Sequence, residues 1–217
     1  MTSENPERLL AITYASPVAQ SGLKALFALD DALGQLIRTT REPTLGQIRL
    51  VWWRDRLIDL DSGSPPAEPV LQGLATHALP HGVTGAQLAG MIEGWSLLLE
   101  PELDLETLTR FGTERGALFE AGGRVLSASS NDPLAEAGQG WALADLATHL
   151  SDPAAADAAR ALARPLLETA CRVRWSRPAR ALGALTHLAR MDLGTRPARI
   201  GAPSRVFRLL RHRLTGR

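Results

Sequence analysis

Apolar residues recur at spacings of three and four along most of the chain, and short polar segments separate these stretches. This period is that of amphipathic helices. Several stretches open on an Asn, Ser, Thr or Asp that is followed by proline or by an apolar run, which is typical of helix N-termini. The expected helices begin near residue 6 and then span about 17–37, 44–59, 70–78, 84–99, 104–126, a segment that starts at 133, 153–175, 178–191 and 204–215.

The second and third expected helices each contain a clear set of apolar residues. The apolar face of the second consists of Leu23, Leu26, Phe27, Leu33 and Ile37. The apolar residues of the third are Leu45, Ile48, Val51, Trp52 and Leu57. Residues 61–69 contain three prolines and a glycine, and we interpret them as an exposed loop and not as a domain boundary. The 217 residues are therefore expected to form one domain, 1–217.

Composition supports an all-α fold of roughly eight to ten helices. Leu and Ala dominate the hydrophobic 45% of the chain, β-branched residues are scarce, and no hairpin signal occurs. The single cysteine, Cys171, excludes an internal disulfide and is expected to be an inert thiol, so a reducing, cytoplasmic location fits best. Residues 1–8 lack the apolar core of a signal peptide, and no apolar run is long enough to span a bilayer.

Charge is unevenly distributed along the chain. From Arg160 onward there are 14 arginines and only two acids, Glu168 and Asp192. This part either faces an anionic partner or pairs with the acidic remainder of the domain, and the sequence leaves both open. The last helix alternates basic Arg205, Arg208, Arg211 and Arg213 with Val206, Phe207, Leu209, Leu210 and Leu214.

A basic amphipathic helix of this kind lies on an anionic membrane surface or packs on its own domain with the arginines in water. We rank a nucleic-acid role last, because no helix-turn-helix or RNA-binding motif accompanies the basic residues.

One segment is similar to a known family. Residues 40–55 read TREPTLGQIRLVWWRD, which resembles a signature of squalene/phytoene synthase-like proteins. The similarity is greatest to a divergent branch that includes bacterial phytoene synthase-like proteins and a mitochondrial complex I assembly factor. Residues 22–29, 108–116 and 137–146 resemble further helices of that family in the right order.

The resemblance implies an isoprenoid-synthase fold. It also implies an activity in which two prenyl diphosphates condense head to head, with Mg²⁺ held by two facing aspartate-rich helices. The first acidic motif falls on Gly34, Gln35 and Arg38, none of which is acidic. The second falls near Ala144, Ala147, Leu150 and Ser151, which also lack carboxylates.

Acids do lie close to both places. Asp30, Asp31, Asp145 and Asp152 are the candidate remnants of a catalytic metal site, but their spacing does not chelate. For Asp30 and Asp31 we favour exposure to solvent or pairing with Lys24 or an arginine. For Asp145 we favour a local hydrogen bond with His149, four residues on.

The retained signature block suggests binding without catalysis. Arg49 and Trp53 share a helix face and can stack, and with Arg54 they are candidates for binding a substrate or partner, as are Arg205, Arg208 and Arg211. We expect a catalytically degenerate, accessory or assembly factor that needs no cofactor and binds a protein or an anionic membrane, peripheral on its inner face. The alternative is a diverged prenyl transferase that binds isoprenoid diphosphates with Mg²⁺.

Overall fold

A computed structural model describes residues 5–100, 102–194 and 197–217, and these residues form ten α-helices, one 3₁₀ turn and no strand. The all-α prediction is confirmed. Residues 1–4, which begin the segment considered for a signal peptide, lie outside the described residues. The helices are α1 (Pro6–Ile12), α2 (Pro17–Thr39), α3 (Pro43–Asp59), α4 (Pro69–His77), α5 (Gly85–Leu97), α6 (Leu105–Leu126), α7 (Leu134–Leu146), α8 (Pro153–Arg172), α9 (Arg180–Asp192) and α10 (Pro203–Thr215).

Local capping chemistry explains where most helices begin. Six of the ten start with proline, whose missing N–H would have no partner at that position. Asn5, Ser16, Asp104 and Asp152 accept hydrogen bonds from the first-turn amides of α1, α2, α6 and α8. Thr84 and Gln87 form a reciprocal capping box on α5.

Three residues that were expected to cap helices have other positions or contacts. The Asp132 side chain caps no helix but accepts hydrogen bonds from the Ser129 amide at 2.8 Å and from the amide and hydroxyl of Ser176 at 2.8 and 2.5 Å. It therefore joins the loop before α7 to the loop before α9. Ser204 is inside α10, which follows Ala202, and Thr44 is inside α3, since proline begins the helix in both cases.

The buried residues form one continuous cluster with α6 at its centre. α6 packs against α2, α5 and α7. Its contact with α7 is closest at Gly116, where a Cβ added to Gly138 would lie 2.2 Å from the Gly116 carbonyl oxygen. Because the two backbones touch there, only glycine fits, and this approach brings the side chains of α6 and α7 into one site.

The apolar residues of α3 lie on two faces of the helix. Leu57 is buried, but Leu45, Ile48, Val51 and Trp52 are 43–61% exposed. α3 instead packs through Gly46, Leu50 and Leu57, and the small Gly46 lets the Leu99 side chain approach closely. α3 therefore carries a second apolar face that points away from the core.

By contrast, α2 buries Leu23, Leu26, Phe27 and Leu33 as expected from its apolar pattern. Across the described residues, no helix has the length and apolar character needed to cross a membrane.

Candidate functional site

A cavity of about 520 Å³ opens between α1, α2, α5, α6, α7, α9 and α10. Its walls combine ionisable groups with Trp95, Trp141, Leu185 and Leu188. Five carboxylates and four arginines line it, so the cavity holds many charges that largely offset one another.

Arg115 of α6 occupies the centre of this charge network. Its Nε and Nη2 donate to the two carboxylate oxygens of Asp30 on α2, each at 2.8 Å. Its Nη1 donates to the carboxylate of Asp145 on α7 at 2.7 Å. One guanidinium thus bridges two acids that are 115 residues apart in the chain.

Aromatic rings enclose the same guanidinium. Its carbon lies 4.7 Å from the ring centre of Trp95 and 4.6 Å from that of Trp141, with Phe111 at 5.7 Å. Cation–π attraction is strongest for such desolvated cations. Arg115 is only 4% exposed, and its guanidinium contacts two carboxylates and the faces of two indoles.

Burial and charge act in opposite directions on the two acids. Burial raises the pKa of Asp30 above its ordinary value, and Arg115 opposes that rise without cancelling it. Burial would also raise the pKa of Asp145, but Arg115, His149 and Arg38 together lower it. For Arg115 itself burial is outweighed by Asp30 and Asp145, which raise the guanidinium pKa. The arginine is therefore permanently charged.

Two further arginines hold the other acids of the cavity. Arg8 of α1 makes a bidentate pair with Asp31, with N–O distances of 2.9 and 2.5 Å. Arg205 of α10 binds Glu7 of α1 through three contacts of 2.7–3.0 Å and also donates to Asp192 at the end of α9. These pairs join α1 to α2 on one side and to α9 and α10 on the other.

The structure therefore brings together three of the four candidate remnants. Asp30 is buried and paired, Asp31 is paired with Arg8, and Asp145 is paired with Arg115. Asp152 lies apart from them, because its carboxylate caps α8 by accepting from the amides of Ala154 and Ala155. Asp152 therefore serves as a helix cap, and its assignment as a remnant metal ligand stays a prediction.

His149, four residues after Asp145, makes a local contact with it. His149 Nδ1 lies 2.9 Å from the Asp145 carbonyl oxygen and 3.9 Å from its carboxylate. Together with Thr148 and Arg38 it lines the cavity mouth.

The expected ligand-binding arginines have diverse environments. Arg205 was expected on an exposed basic face, but it is 3% exposed and ion-paired, so that placement was wrong. Arg211 is exposed and Arg208 is half-buried. Arg49 is exposed, and within the described residues it makes no cation–π contact with the half-buried Trp53. Arg54 pairs with the adjacent Asp55.

Sequence reasoning missed the residues that organise the site, namely Arg115, Arg8, Glu7, Trp95 and Trp141. A signal for Arg115 was available. It lies among Phe111, Gly112, Leu118 and Phe119 on the apolar face of α6, where an unpaired charge would be strongly unfavourable. An arginine in that position predicts a buried acidic partner.

The carboxylates of the cavity fit a metal poorly. Both oxygens of Asp30 already accept from Arg115, and the nearest other acids are held by arginines as well. In the described segments, no three His, Cys, Asp or Glu side chains are arranged to hold a metal ion. The guanidinium of Arg115 is therefore the cation that already lies between the carboxylates of Asp30 on α2 and Asp145 on α7.

Thiol chemistry is equally disfavoured at Cys171. Burial raises the pKa of its thiol to about 11, so it is protonated at neutral pH and a weak nucleophile.

Comparison of the chain with protein-family models, with curated proteins and with solved structures found no match.

Proposed function

We propose that the protein is a non-catalytic member of the squalene/phytoene synthase type, with the isoprenoid-synthase fold, that acts as an accessory or assembly factor at a membrane surface. The observation that carries the proposal is the position of Arg115. Its side chain places a fixed positive charge between Asp30 and Asp145, on the two helices where the family resemblance implies metal-binding aspartates.

A fixed guanidinium cannot do the work of the metal. Mg²⁺ binds diphosphate oxygens directly and supports departure of the leaving group. The Arg115 guanidinium packs against Trp95 and Trp141, and it donates to Asp30, Asp145 and the Ala142 carbonyl. The guanidinium therefore connects α2, α6 and α7 and already engages the carboxylates of Asp30 and Asp145 that a metal would need.

The outer surfaces support an accessory role. α10 is inverted relative to an ordinary surface helix, since Arg205 and His212 are buried while Phe207, Leu210 and Leu214 are 48–79% exposed. Arginines surround this apolar patch. Exposed or half-buried Arg208, Arg211, Arg213 and Arg217 are on or next to α10, and Arg174 and Arg180 donate to the carbonyls of Thr215 and Arg213.

Apolar side chains together with nearby basic groups are the two contributions that hold a peripheral protein on an anionic bilayer. The second exposed apolar surface, Leu45, Ile48, Val51 and Trp52 of α3, supports a protein partner, as an accessory role requires. The accessory role is therefore supported by these two outer surfaces as well as by the cavity.

The cavity supports a second candidate function, a diverged prenyl transferase that binds isoprenoid diphosphates with Mg²⁺. Its apolar wall, which includes Trp95, Leu185 and Leu188, is suited to a hydrocarbon chain. This candidate requires Arg115 to leave Asp30 and Asp145, which the packing of the guanidinium opposes.

One experiment separates the two candidates. The purified protein is incubated with farnesyl or geranylgeranyl diphosphate and Mg²⁺, and released diphosphate and prenyl products are measured. We expect no release above a protein-free blank. Magnesium-dependent turnover that is lost in Asp145→Asn but kept in Asp157→Asn, an exposed acid on α8, would overturn the proposal and establish the transferase.

Membrane association is tested by co-sedimentation with vesicles. We expect binding to vesicles that contain an anionic lipid and little binding to neutral ones. Phe207→Ser with Leu214→Ser should weaken the anionic binding by about 1 kcal/mol for each side chain, whereas Leu105→Ser, an exposed leucine at the start of α6, should leave it unchanged. Equal binding to neutral vesicles, or an equal effect of the control, would contradict a role for α10.

A further inference from the structure

A second cleft, of about 350 Å³, lies between α8, α9 and α10 and is separate from the cavity around Arg115. Arg164 and Glu168 of α8 form one wall, His187 and Arg190 of α9 the next, and Arg208 of α10 the third. Met191 and Leu193 add apolar surface. Three helices thus contribute one arginine each to the same cleft.

The cleft has an excess of positive charge. Three guanidiniums and the single carboxylate of Glu168 give it a net charge of about +2. Within the described part of the chain, none of the three arginines takes part in an ion pair. Beyond the backbone, Arg164 Nη2 donates to the Leu193 carbonyl at 3.2 Å, and the Arg190 side chain lies within hydrogen-bonding reach of the Cys171 thiol.

This arrangement contrasts with the cavity, where each carboxylate has an arginine partner. Like charges gathered at one place repel each other, and a bound anion relieves that repulsion.

A buried side chain without a partner supplies an independent observation. His187 is 3% exposed, lines the cleft, and its Nε2 has no hydrogen-bond partner. Buried polar atoms in native structures almost always have a partner. Burial, followed by the nearby His212 and Arg208, lowers the pKa of His187 to about 3, so the ring is neutral at pH 7 and keeps one N–H to donate.

We propose that this cleft binds the phosphate group of a phosphate monoester, held by Arg164, Arg190 and Arg208. The guanidinium fork matches the oxygens of a phosphate and can donate two parallel hydrogen bonds to it. A dianionic monoester neutralises the excess charge of the cleft. The volume exceeds that of phosphate alone, so the rest of the ester lies along Met191 and Leu193.

The inference does not depend on the proposed function. It shares Arg208 with the basic groups near the apolar patch of α10, but it needs neither the cavity nor the exposed Phe207, Leu210 and Leu214. The same phosphate chemistry occurs in soluble phosphate esters and in the headgroup of phosphatidic acid. Both are tested side by side.

Binding of inorganic phosphate and of glycerol 3-phosphate is measured by titration calorimetry. Binding to phosphatidic acid is measured by co-sedimentation, against vesicles matched in charge with phosphatidylglycerol, which is a diester. The test variant is Arg164→Gln with Arg190→Gln. The matched control is Arg172→Gln with Arg177→Gln, two exposed arginines outside the cleft.

We expect a monoester probe to bind and the test variant to weaken binding by about tenfold or more for each arginine, with little change in the control. Arg190→Gln alone, at an exposed position, serves if the double variant unfolds by circular dichroism. Cleft-dependent binding of the soluble probes identifies a soluble ester, and cleft-dependent binding of phosphatidic acid alone identifies a lipid. Absence of binding to every monoester probe, or equal losses in test and control variants, overturns the proposal.

Discussion

Replacing Arg115 with methionine should destabilise the protein strongly. Methionine keeps much of the side-chain volume and still packs between Trp95 and Trp141, since its sulfur makes favourable contacts with aromatic rings. The loss falls on Asp30, which is 3% exposed and has both oxygens bonded to the arginine. Leaving one member of a buried ion pair without its partner typically costs about 3–5 kcal/mol.

Asp145 should contribute much less to that loss. Its side chain is 37% exposed, so water can replace the guanidinium there. We therefore assign most of the expected decrease in unfolding free energy to the isolated Asp30 carboxylate.

Asp30→Leu should then partly rescue Arg115→Met. The double variant has no buried charge at this point, and apolar replacement of a whole buried pair is often neutral or stabilising. We expect the double variant to be more stable than Arg115→Met by about 2 kcal/mol. Arg54→Met is the control, because its pair with Asp55 is nearly half exposed on both sides and should change stability by less than about 1 kcal/mol.

The assay is urea denaturation at pH 7 followed by far-ultraviolet circular dichroism. A loss below about 1 kcal/mol for Arg115→Met, or effects of the two substitutions that simply add, would refute the assignment. Either result would mean that the pair between α2 and α6 does not hold the bundle together.

Three further predictions concern stability. Burial lowers the pKa of His187 to about 3 and that of His212 to about 4. As the pH falls, the unfolded chain therefore binds protons at these two histidines before the folded chain does. Their contribution to the free energy of unfolding is complete above about pH 6.5 and is lost as the pH falls towards 4. Urea titrations at pH 7 and pH 5 should differ by about 2 kcal/mol for each histidine, and replacing both with leucine should flatten that difference. Gly138→Ala should lower the unfolding free energy by about 3 kcal/mol, since the added methyl would lie 2.2 Å from the Gly116 carbonyl oxygen; an unchanged urea midpoint would contradict the close approach of α6 and α7. Arg205→Met should leave the buried carboxylate of Glu7 without its positive partner and lower the Tm by about 6–12 °C in scanning fluorimetry. A shift of the Tm below about 2 °C would argue against a stabilising role for the ion pairs of Arg205.

Local signals were sufficient to predict the helices. Proline at the first position and an Asn, Ser or Asp cap act within one turn, so the starts of α1, α2, α6 and α8 could be predicted from neighbouring residues alone. The buried face of α2 was also predictable, because its apolar residues form a single stripe.

The interior contacts depended on distant residues and were not predictable in this way. α3 has two apolar faces, and only its packing on α5 decides which one is buried. Arg115 and Asp30 are 85 positions apart. Among the arginines of α10, only Arg205 faces Glu7, and the helical pattern gives it no distinguishing mark. A lone arginine on an apolar face remains the best available warning of such a pair.

The ion pair between Glu7 and Arg205 also constrains how the protein is synthesised. Its two members are separated by 198 positions in the chain, so during translation α1 emerges long before its partner exists. A growing chain can pack α2 to α7 as they leave the ribosome, but Glu7 stays without its arginine until α10 has emerged. The cavity wall that α1 completes is therefore among the last parts to form, and nascent chains arrested before residue 205 should expose α1 to proteases or to chaperones.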